Sequence, residues 1–165
     1  MQRIGFLLGG MVVLVGSFLI TNWILSNNEG LNWRFTDEAS LEAAATAAGF
    51  HSSKDLSGFM EGVVRVDNEK VRANGWVVDI SGDGTPIDLS AFVNGQNIAT
   101  FRTDGPRPDV SETIIKPNPK ANPNSANNVQ FIASFSCAPG DKLFVVATTA
   151  TRNYILLPYQ PSVCP

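Results

Sequence analysis

Residues 87–103 read IDLSAFVNGQNIATFRT, and this stretch decides which fold the chain adopts. At its centre is Asn94-Gly95, a dipeptide that favours a two-residue type I′ turn because both residue types tolerate positive φ. Apolar residues recur at every second position before the turn, at Leu89, Ala91 and Val93. A period of two is typical of a strand with one buried face. The stretch therefore predicts a β-hairpin.

The same alternation recurs on both sides of this hairpin, separated by turn-forming residues. We predict seven strands, at 61–67, 71–80, 87–94, 97–103, 129–136, 142–149 and 153–157. Three aromatic residues are predicted to fill the core: Trp76, Phe131 and Phe135. Strands of this length and spacing are typical of an all-β, immunoglobulin-like antiparallel β-sandwich.

The amino terminus has a different character. Residues 4–25 read IGFLLGGMVVLVGSFLITNWIL and carry no charge. A span of about 20 apolar residues matches the hydrocarbon core of a bilayer. The stretch is longer than the hydrophobic region of a signal peptide and ends without a small-residue cleavage site, so an uncleaved transmembrane helix is favoured. Arg3 predicts a cytoplasmic amino terminus, so the rest of the chain is expected outside the cytoplasm.

Three glycines of this span, Gly5, Gly9 and Gly16, fall on one face of a helix. Gly5 and Gly9 have the spacing that lets two membrane helices approach closely. Glycine is also common in membrane helices generally, and the sequence leaves both interpretations open. Trp23 and Trp33 suit the membrane interface, where an indole ring lies among the lipid headgroups.

A polar, alanine-rich segment lies between the predicted span and the sandwich. Thr36 suits the N-cap of a short helix, and Gly49 suits the position after its last turn. Leu41 is the one large apolar residue in that helix, so we expect the helix to lie on the domain surface or against a partner. The predicted organisation is a transmembrane helix over 1–28, a juxtamembrane linker with a short helix over 29–58, and an extracytoplasmic β-sandwich domain over 59–165.

Cys137 and Cys164 are the two cysteines of the chain. In an oxidising compartment such a pair forms a structural disulfide. The alternatives are two free thiols or a redox pair, and a redox pair normally shows a close C-x-x-C spacing. The disulfide would tie the carboxyl-terminal strand to the end of the strand over 129–136.

Few residues of the chain suit catalysis or metal binding. Asp79, Ser81 and Asp83 begin like a calcium loop, but Ser90 stands where an EF-hand has its bidentate glutamate, which favours a polar turn. His51 is the single histidine, so neither a zinc site nor a catalytic triad is predicted. The net charge of −3 argues against a nucleic-acid partner. We expect no enzyme activity and no cofactor.

The segment over 116–128 reads KPNPKANPNSANN and contains no large apolar residue. We expect it to be an exposed loop, because its prolines and asparagines do not support a strand. A loop of this kind is either solvated or docked on a partner protein, and the solvated state is favoured.

Several motifs follow one another in a recognisable order. They are GVVRVD at 62–67, GWVVD at 75–79, FVNG at 92–95, RPDV at 107–110 and CAPGD at 137–141. Together they resemble bacterial β-sandwich modules of cell-envelope proteins, which also stand beside some glycosyltransferases. The resemblance covers about residues 60–150 and implies a binding or structural module without catalytic residues. In the RPDV motif, Arg107 is expected to pair with Asp109 or Asp79 and to hold its loop.

These observations predict two alternative functions. The first is a non-catalytic accessory subunit of a multisubunit inner-membrane complex, of the electron-transfer or photosynthetic kind among others. Its partners would be integral membrane subunits and the lipid bilayer. The alternative is a membrane-tethered module that binds an envelope glycan or peptide on an exposed aromatic platform. The candidates for that platform are Phe92, Phe101, Tyr154 and Tyr159.

Overall fold

Two β-sheets lie face to face in the computed structural model, which describes residues 31–165. The strands are β1 (His51–Ser52), β2 (Leu56–Arg65), β3 (Lys70–Asp79), β4 (Asp88–Val93), β5 (Gln96–Arg102), β6 (Gln130–Ser136), β7 (Leu143–Thr148) and β8 (Asn153–Leu156). The helical elements are α1 (Glu38–Ala47), α2 (Pro108–Val110), a π-helical turn (Ser111–Ile115) and a 3-10 turn (Pro123–Ala126). All seven predicted strands are present, so the prediction of a mostly β, sandwich-like domain is confirmed.

The strands divide between a large and a small sheet. The large sheet has the order β1-β8-β7-β4-β5, and the small sheet has the order β2-β3-β6. Asn94 and Gly95 join β4 to β5 with φ values of 49° and 77°, which confirms the predicted hairpin. β1 runs parallel to β8 and has two residues, too few for the sequence to show an alternation.

The main core lies between the two sheets. Phe131 and Phe135 are 1% and 4% exposed there, which confirms their predicted place in the core. Trp76 requires a correction, because it is half-buried and lies on the outer face of the small sheet. Side chains alternate along β3, so its neighbours Gly75 and Val77 take the inward positions.

Residues 108–129 pack over part of the outer face of the small sheet. The apolar cluster that joins them to the sheet contains Val78, Val110, Ile115, Ala126 and Val129, with Trp76 packed against it. The predicted exposed loop over 116–128 is therefore docked on its own domain. The backbone N–H of Asn122 donates to the carbonyl of Ile80 at 2.9 Å, and the side-chain amide of Asn128 donates to the carbonyl of Gly84 at 2.7 Å. The sequence did not predict this docking, because such hydrogen bonds do not require a pattern of apolar residues.

The amino-terminal segment over 32–50 covers the outer face of the large sheet. Trp33 packs edge-on against Tyr154, with ring centroids 6.0 Å apart. Phe35 packs against Phe92 at 4.7 Å. Leu41 of α1 is buried, so the helix lies on the domain surface, as predicted.

Three predictions for this segment are corrected. Trp33 is 8% exposed and lies inside the domain, so its indole ring does not occupy a membrane interface. The compact unit begins at Asn32, and the predicted linker is part of the folded domain from that residue on. The N-cap of α1 is Asp37, one residue after the predicted position, and its carboxylate accepts a hydrogen bond from the N–H of Ser40 at 2.8 Å. Gly49 follows the last turn with a φ of 79°, as predicted.

Replacing Gly95 with alanine tests whether the amino-terminal segment over 32–50 packs against the β4–β5 hairpin. A Cβ atom on Gly95 would overlap the carbonyl oxygen of Phe35, whereas one on Gly140 would meet open space. Both glycines have positive φ, so both substitutions carry the same backbone cost. We expect Gly95→Ala to lower the free energy of unfolding by about 2 kcal/mol more than Gly140→Ala. Equal losses in urea denaturation would show that the segment is not packed on the hairpin.

No helix within residues 31–165 is long and apolar enough to cross a bilayer. The predicted membrane span over 4–25 lies outside the described residues, together with Gly5, Gly9, Gly16 and Trp23. The transmembrane helix over 1–28 therefore stays a prediction.

Candidate interaction surface

Cys137 and Cys164 form a disulfide, and their Cα atoms are 6.1 Å apart. The bond joins the end of β6 to the carboxyl-terminal segment, as the sequence predicts. The cysteines are 3% and 2% exposed, which fits a structural role because solvent-borne thiols do not reach them easily. The backbone N–H of Cys164 also donates to the carbonyl of Asp141 at 2.8 Å, so hydrogen bonds hold the same segment.

The four residues predicted to form an aromatic platform do not form one. Phe92 and Tyr154 are 0% and 6% exposed, because the amino-terminal segment lies over them. Phe101 and Tyr159 are half-buried and pack against the main core. Phe101 lies 5.7 Å from the ring of Phe131. The prediction of a ligand surface at these positions is corrected.

The calcium candidate residues form a polar turn between β3 and β4. The Asp79 carboxylate accepts hydrogen bonds from the N–H and the hydroxyl of Ser81, at 3.1 and 2.9 Å. The Asp83 carboxylate accepts from the N–H of Thr85, which lowers the pKa of Asp83. No group of three or more acidic, histidine or cysteine side chains within residues 31–165 is arranged to hold a metal ion. Because each carboxylate bonds its own turn, the favoured turn interpretation accounts for the motif.

Exposed apolar side chains gather on the outer face of the small sheet. Of the five large apolar residues that are exposed in the described part of the chain, three lie there, namely Phe59, Val64 and Ile132, and a fourth, Val66, directly follows β2 and donates its backbone N–H to the carbonyl of Lys70 at 2.9 Å. Phe59 is 46% exposed and Ile132 is 62% exposed. The central strand β3, which lies between β2 and β6, presents Lys70, Arg72 and Asn74 on the same face. We call these seven residues the open face.

Arg107 lies where the covered part of the sheet meets the open face. Its Nη2 atom is 2.7 Å from Oε1 of Glu61 and 2.6 Å from Oδ2 of Asp109. The Glu61 carboxylate also accepts from the side-chain amide of Asn74 at 3.2 Å. Glu61 is the extra residue of a β-bulge in β2. The predicted ion pair of Arg107 with Asp109 is confirmed. The second partner of Arg107 is Glu61, and not the alternative candidate Asp79.

The ion pair has a measurable effect on titration. Hydrogen bonds from Arg107 lower the pKa of Asp109 to about 2. A carboxyl whose pKa is depressed by folding stabilises the folded state above its ordinary pKa and loses that contribution as pH falls toward 2. In Arg107→Gln, we expect the pKa of Asp109 to return toward 3.8, as measured by carboxyl NMR titration. Asp83 serves as the internal control, because its shift depends on Thr85 and should not change.

Sequence analysis did not identify the open face, although one signal was present. In β6, the residues that alternate with the core series are polar except for Ile132. An isoleucine in an otherwise polar series marks an apolar position on the outward face. Val64 and Phe59 gave no such signal, because the bulge at Glu61 shifts the alternation of β2.

No family model matches the chain, and no curated protein or solved structure matches it. The resemblance to bacterial envelope β-sandwich modules therefore stays a prediction. What the chain does must be inferred from its own residues, and the open face is the feature that distinguishes its surface.

Proposed function

We propose that this chain is a non-catalytic, membrane-anchored accessory subunit of a multisubunit complex, with its folded domain on the periplasmic side of a bacterial inner membrane. The open face carries the proposal. Monomeric soluble proteins seldom gather several large apolar side chains on one surface, and such surfaces mark protein interaction sites. Elsewhere the chain covers apolar parts of its own sheets. Residues 108–129 cover part of the small sheet, and the amino-terminal segment covers the outer face of the large sheet.

Two features support the compartment. The Cys137–Cys164 disulfide is of a kind that persists in the periplasm and is rare in the cytosol. The uncharged stretch over 4–25 has the length of a membrane helix, and Arg3 precedes it. Both features support a domain that lies outside the cytoplasm and close to integral membrane subunits.

We assign the sandwich to the immunoglobulin-like class as part of this proposal. If β2 to β8 are lettered A, B, C, C′, E, F and G, the small sheet is A-B-E and the large sheet contains G-F-C-C′. This division of strands is the immunoglobulin-like one, extended by the short β1.

A glycan-binding or peptide-binding module is the less supported alternative. It was predicted from Phe92, Phe101, Tyr154 and Tyr159, and these residues pack inside the domain or against its core. The accessory-subunit function requires only an exposed apolar surface, which the open face supplies.

The test is the native size of the full chain after gentle detergent extraction from bacterial membranes. We expect the chain to remain in the membrane fraction after an alkaline wash and to migrate in a species much larger than the monomer. Protease added to the periplasmic side should degrade the domain. A strictly monomeric wild-type chain, or a chain released by the wash, would refute the proposal.

Three matched variants test the predicted glycine face. Gly9→Leu and Gly16→Leu place a bulky side chain on that face, whereas Gly10→Leu places the same side chain about 100° away. We expect the first two to shift the chain to a smaller species and Gly10→Leu to leave it in the large one. If all three variants have the same native size, the predicted span is not the packing surface, and the open face is the remaining candidate for the contact.

A further inference from the structure

Two cations lie among the apolar side chains of the open face. Lys70 and Arg72 are successive outward residues of β3, the central strand of the small sheet. Both are exposed, and neither makes a salt bridge within residues 31–165. Arg72 lies opposite Val64 of β2 on one side and opposite Ser134 of β6 on the other. Arg72 therefore has an apolar neighbour on one side and a polar neighbour on the other, whereas Lys70, the first residue of β3, lies at the end of the sheet opposite Ser136.

Three carboxylates are close to these cations along the chain or on the neighbouring strand, and the charge of Lys70 acts on one of them, Asp67. Asp67 lies in the turn before β3, where its carboxylate accepts hydrogen bonds from the N–H groups of Glu69 and Lys70 at 2.8 and 2.7 Å. Glu69 borders a cleft beside Cys137, near the edge between the sheets. Glu61 is held by Arg107 and Asn74. The positive charge of Arg72 in particular has no counterpart on the open face.

We infer that the open face docks an acidic segment of another protein, whose carboxylates meet Lys70 and Arg72 while its apolar side chains cover Val64 and Ile132. This inference rests on the proposed function and names the chemistry of the partner. Complementary charge at an interface fixes the orientation of the partner and excludes partners of the wrong sign. Burial of the neighbouring apolar side chains supplies the affinity.

The same charges disfavour the two other occupants of such a face. A second copy docked about a two-fold axis through the centre of the open face would bring Lys70 and Arg72 of one copy close to the same pair of the other, and like charges at an interface are costly. An anionic membrane surface is bound by clusters of about four to eight basic residues. The open face carries two, Lys70 and Arg72, beside the polar Asn74 and Ser134.

The experiment is zero-length carbodiimide cross-linking of the full chain in native membranes, followed by mass spectrometry of the adduct. Carbodiimide joins a lysine amine to a carboxylate that it contacts directly. We expect an adduct between Lys70 and an Asp or Glu of a different protein. Lys70→Arg keeps the charge and removes the amine, so the adduct should disappear. Lys120→Arg changes another exposed lysine, in the segment over 108–129 and outside the open face as defined, and should leave the adduct intact.

A second pair of variants tests the apolar part of the surface. Ile132→Asp places a carboxylate on the open face, whereas Ile98→Asp places one at the exposed isoleucine of β5 in the large sheet. We expect the yield of the Lys70 adduct to fall by roughly tenfold in Ile132→Asp, the change that about 1.4 kcal/mol of binding free energy produces. In Ile98→Asp the yield should stay within about twofold of wild type. Circular dichroism of each variant verifies that it is folded.

Several outcomes overturn the inference and leave the proposed function standing. They are a large native species without a Lys70 adduct, an adduct with a second copy of this chain, an adduct with a lipid carboxylate, or equal losses in Ile132→Asp and Ile98→Asp. A monomeric wild-type chain removes the proposed function and this inference together. The native-size measurement therefore separates the two failures.

Discussion

Removing the Cys137–Cys164 bond lowers the free energy of unfolding by roughly 3 to 4 kcal/mol, because the bond closes a loop with a sequence separation of 27 residues and so restricts the unfolded chain. For a domain of this size, that loss lowers the midpoint of thermal unfolding by roughly 10 °C. The measurement is urea denaturation of the full chain with and without reductant, and of the double variant Cys137→Ala with Cys164→Ala.

The double variant also supplies the control. Reductant should destabilise the wild type and have no effect on the variant, which contains no thiol. The folded state should survive in both cases, since Leu143, Ser162 and Cys164 keep backbone hydrogen bonds in this region. A wild type that is unchanged by complete reduction would show that the bond does not constrain the unfolded chain.

Phe131→Ala is the second large effect, with an expected loss of about 3 to 5 kcal/mol in the free energy of unfolding. Phe131 is 1% exposed, and its ring lies between the sheets, 5.7 Å from the ring of Phe101. Removing the ring leaves a cavity that Gly75, directly beneath it, cannot fill. The loss should appear as a lower urea midpoint with an unchanged slope.

The adjacent residue is a close control for this effect. Ile132 belongs to the same strand, but its side chain is 62% exposed. Ile132→Ala should change the free energy of unfolding by less than about 1 kcal/mol. If the two variants lost the same stability, the assignment of inward and outward faces on β6 would be wrong, and the open face with it.

The strands and turns were predictable because their signals are local. The hairpin at Asn94-Gly95 needs two residues that accept positive φ, and the sequence supplies both. β6 shows its period of two within seven residues. The disulfide was predictable from the expected oxidising compartment and from the presence of a single pair of cysteines.

The candidate site was harder to predict, because it depends on which surfaces other parts of the chain cover. Trp33 and Phe35 are two aromatic residues in a polar segment, and two residues show no periodicity that would reveal a buried segment. Val77 and Val78 are both fully buried, so β3 gave no clear indication of which way Trp76 points. Arg107 and Glu61 are 46 residues apart, and a β-bulge that no sequence signal marked brings them together.

The sequence by itself determined where the strands lie, how β4 turns into β5 and which cysteines pair. Alternation along a strand defines two faces, but it does not say which of them the rest of the chain will cover. The tertiary structure decided that the amino-terminal segment covers Phe92 and Tyr154 and that residues 108–129 cover Trp76. Those contacts are long-range, and they leave the open face of the small sheet exposed.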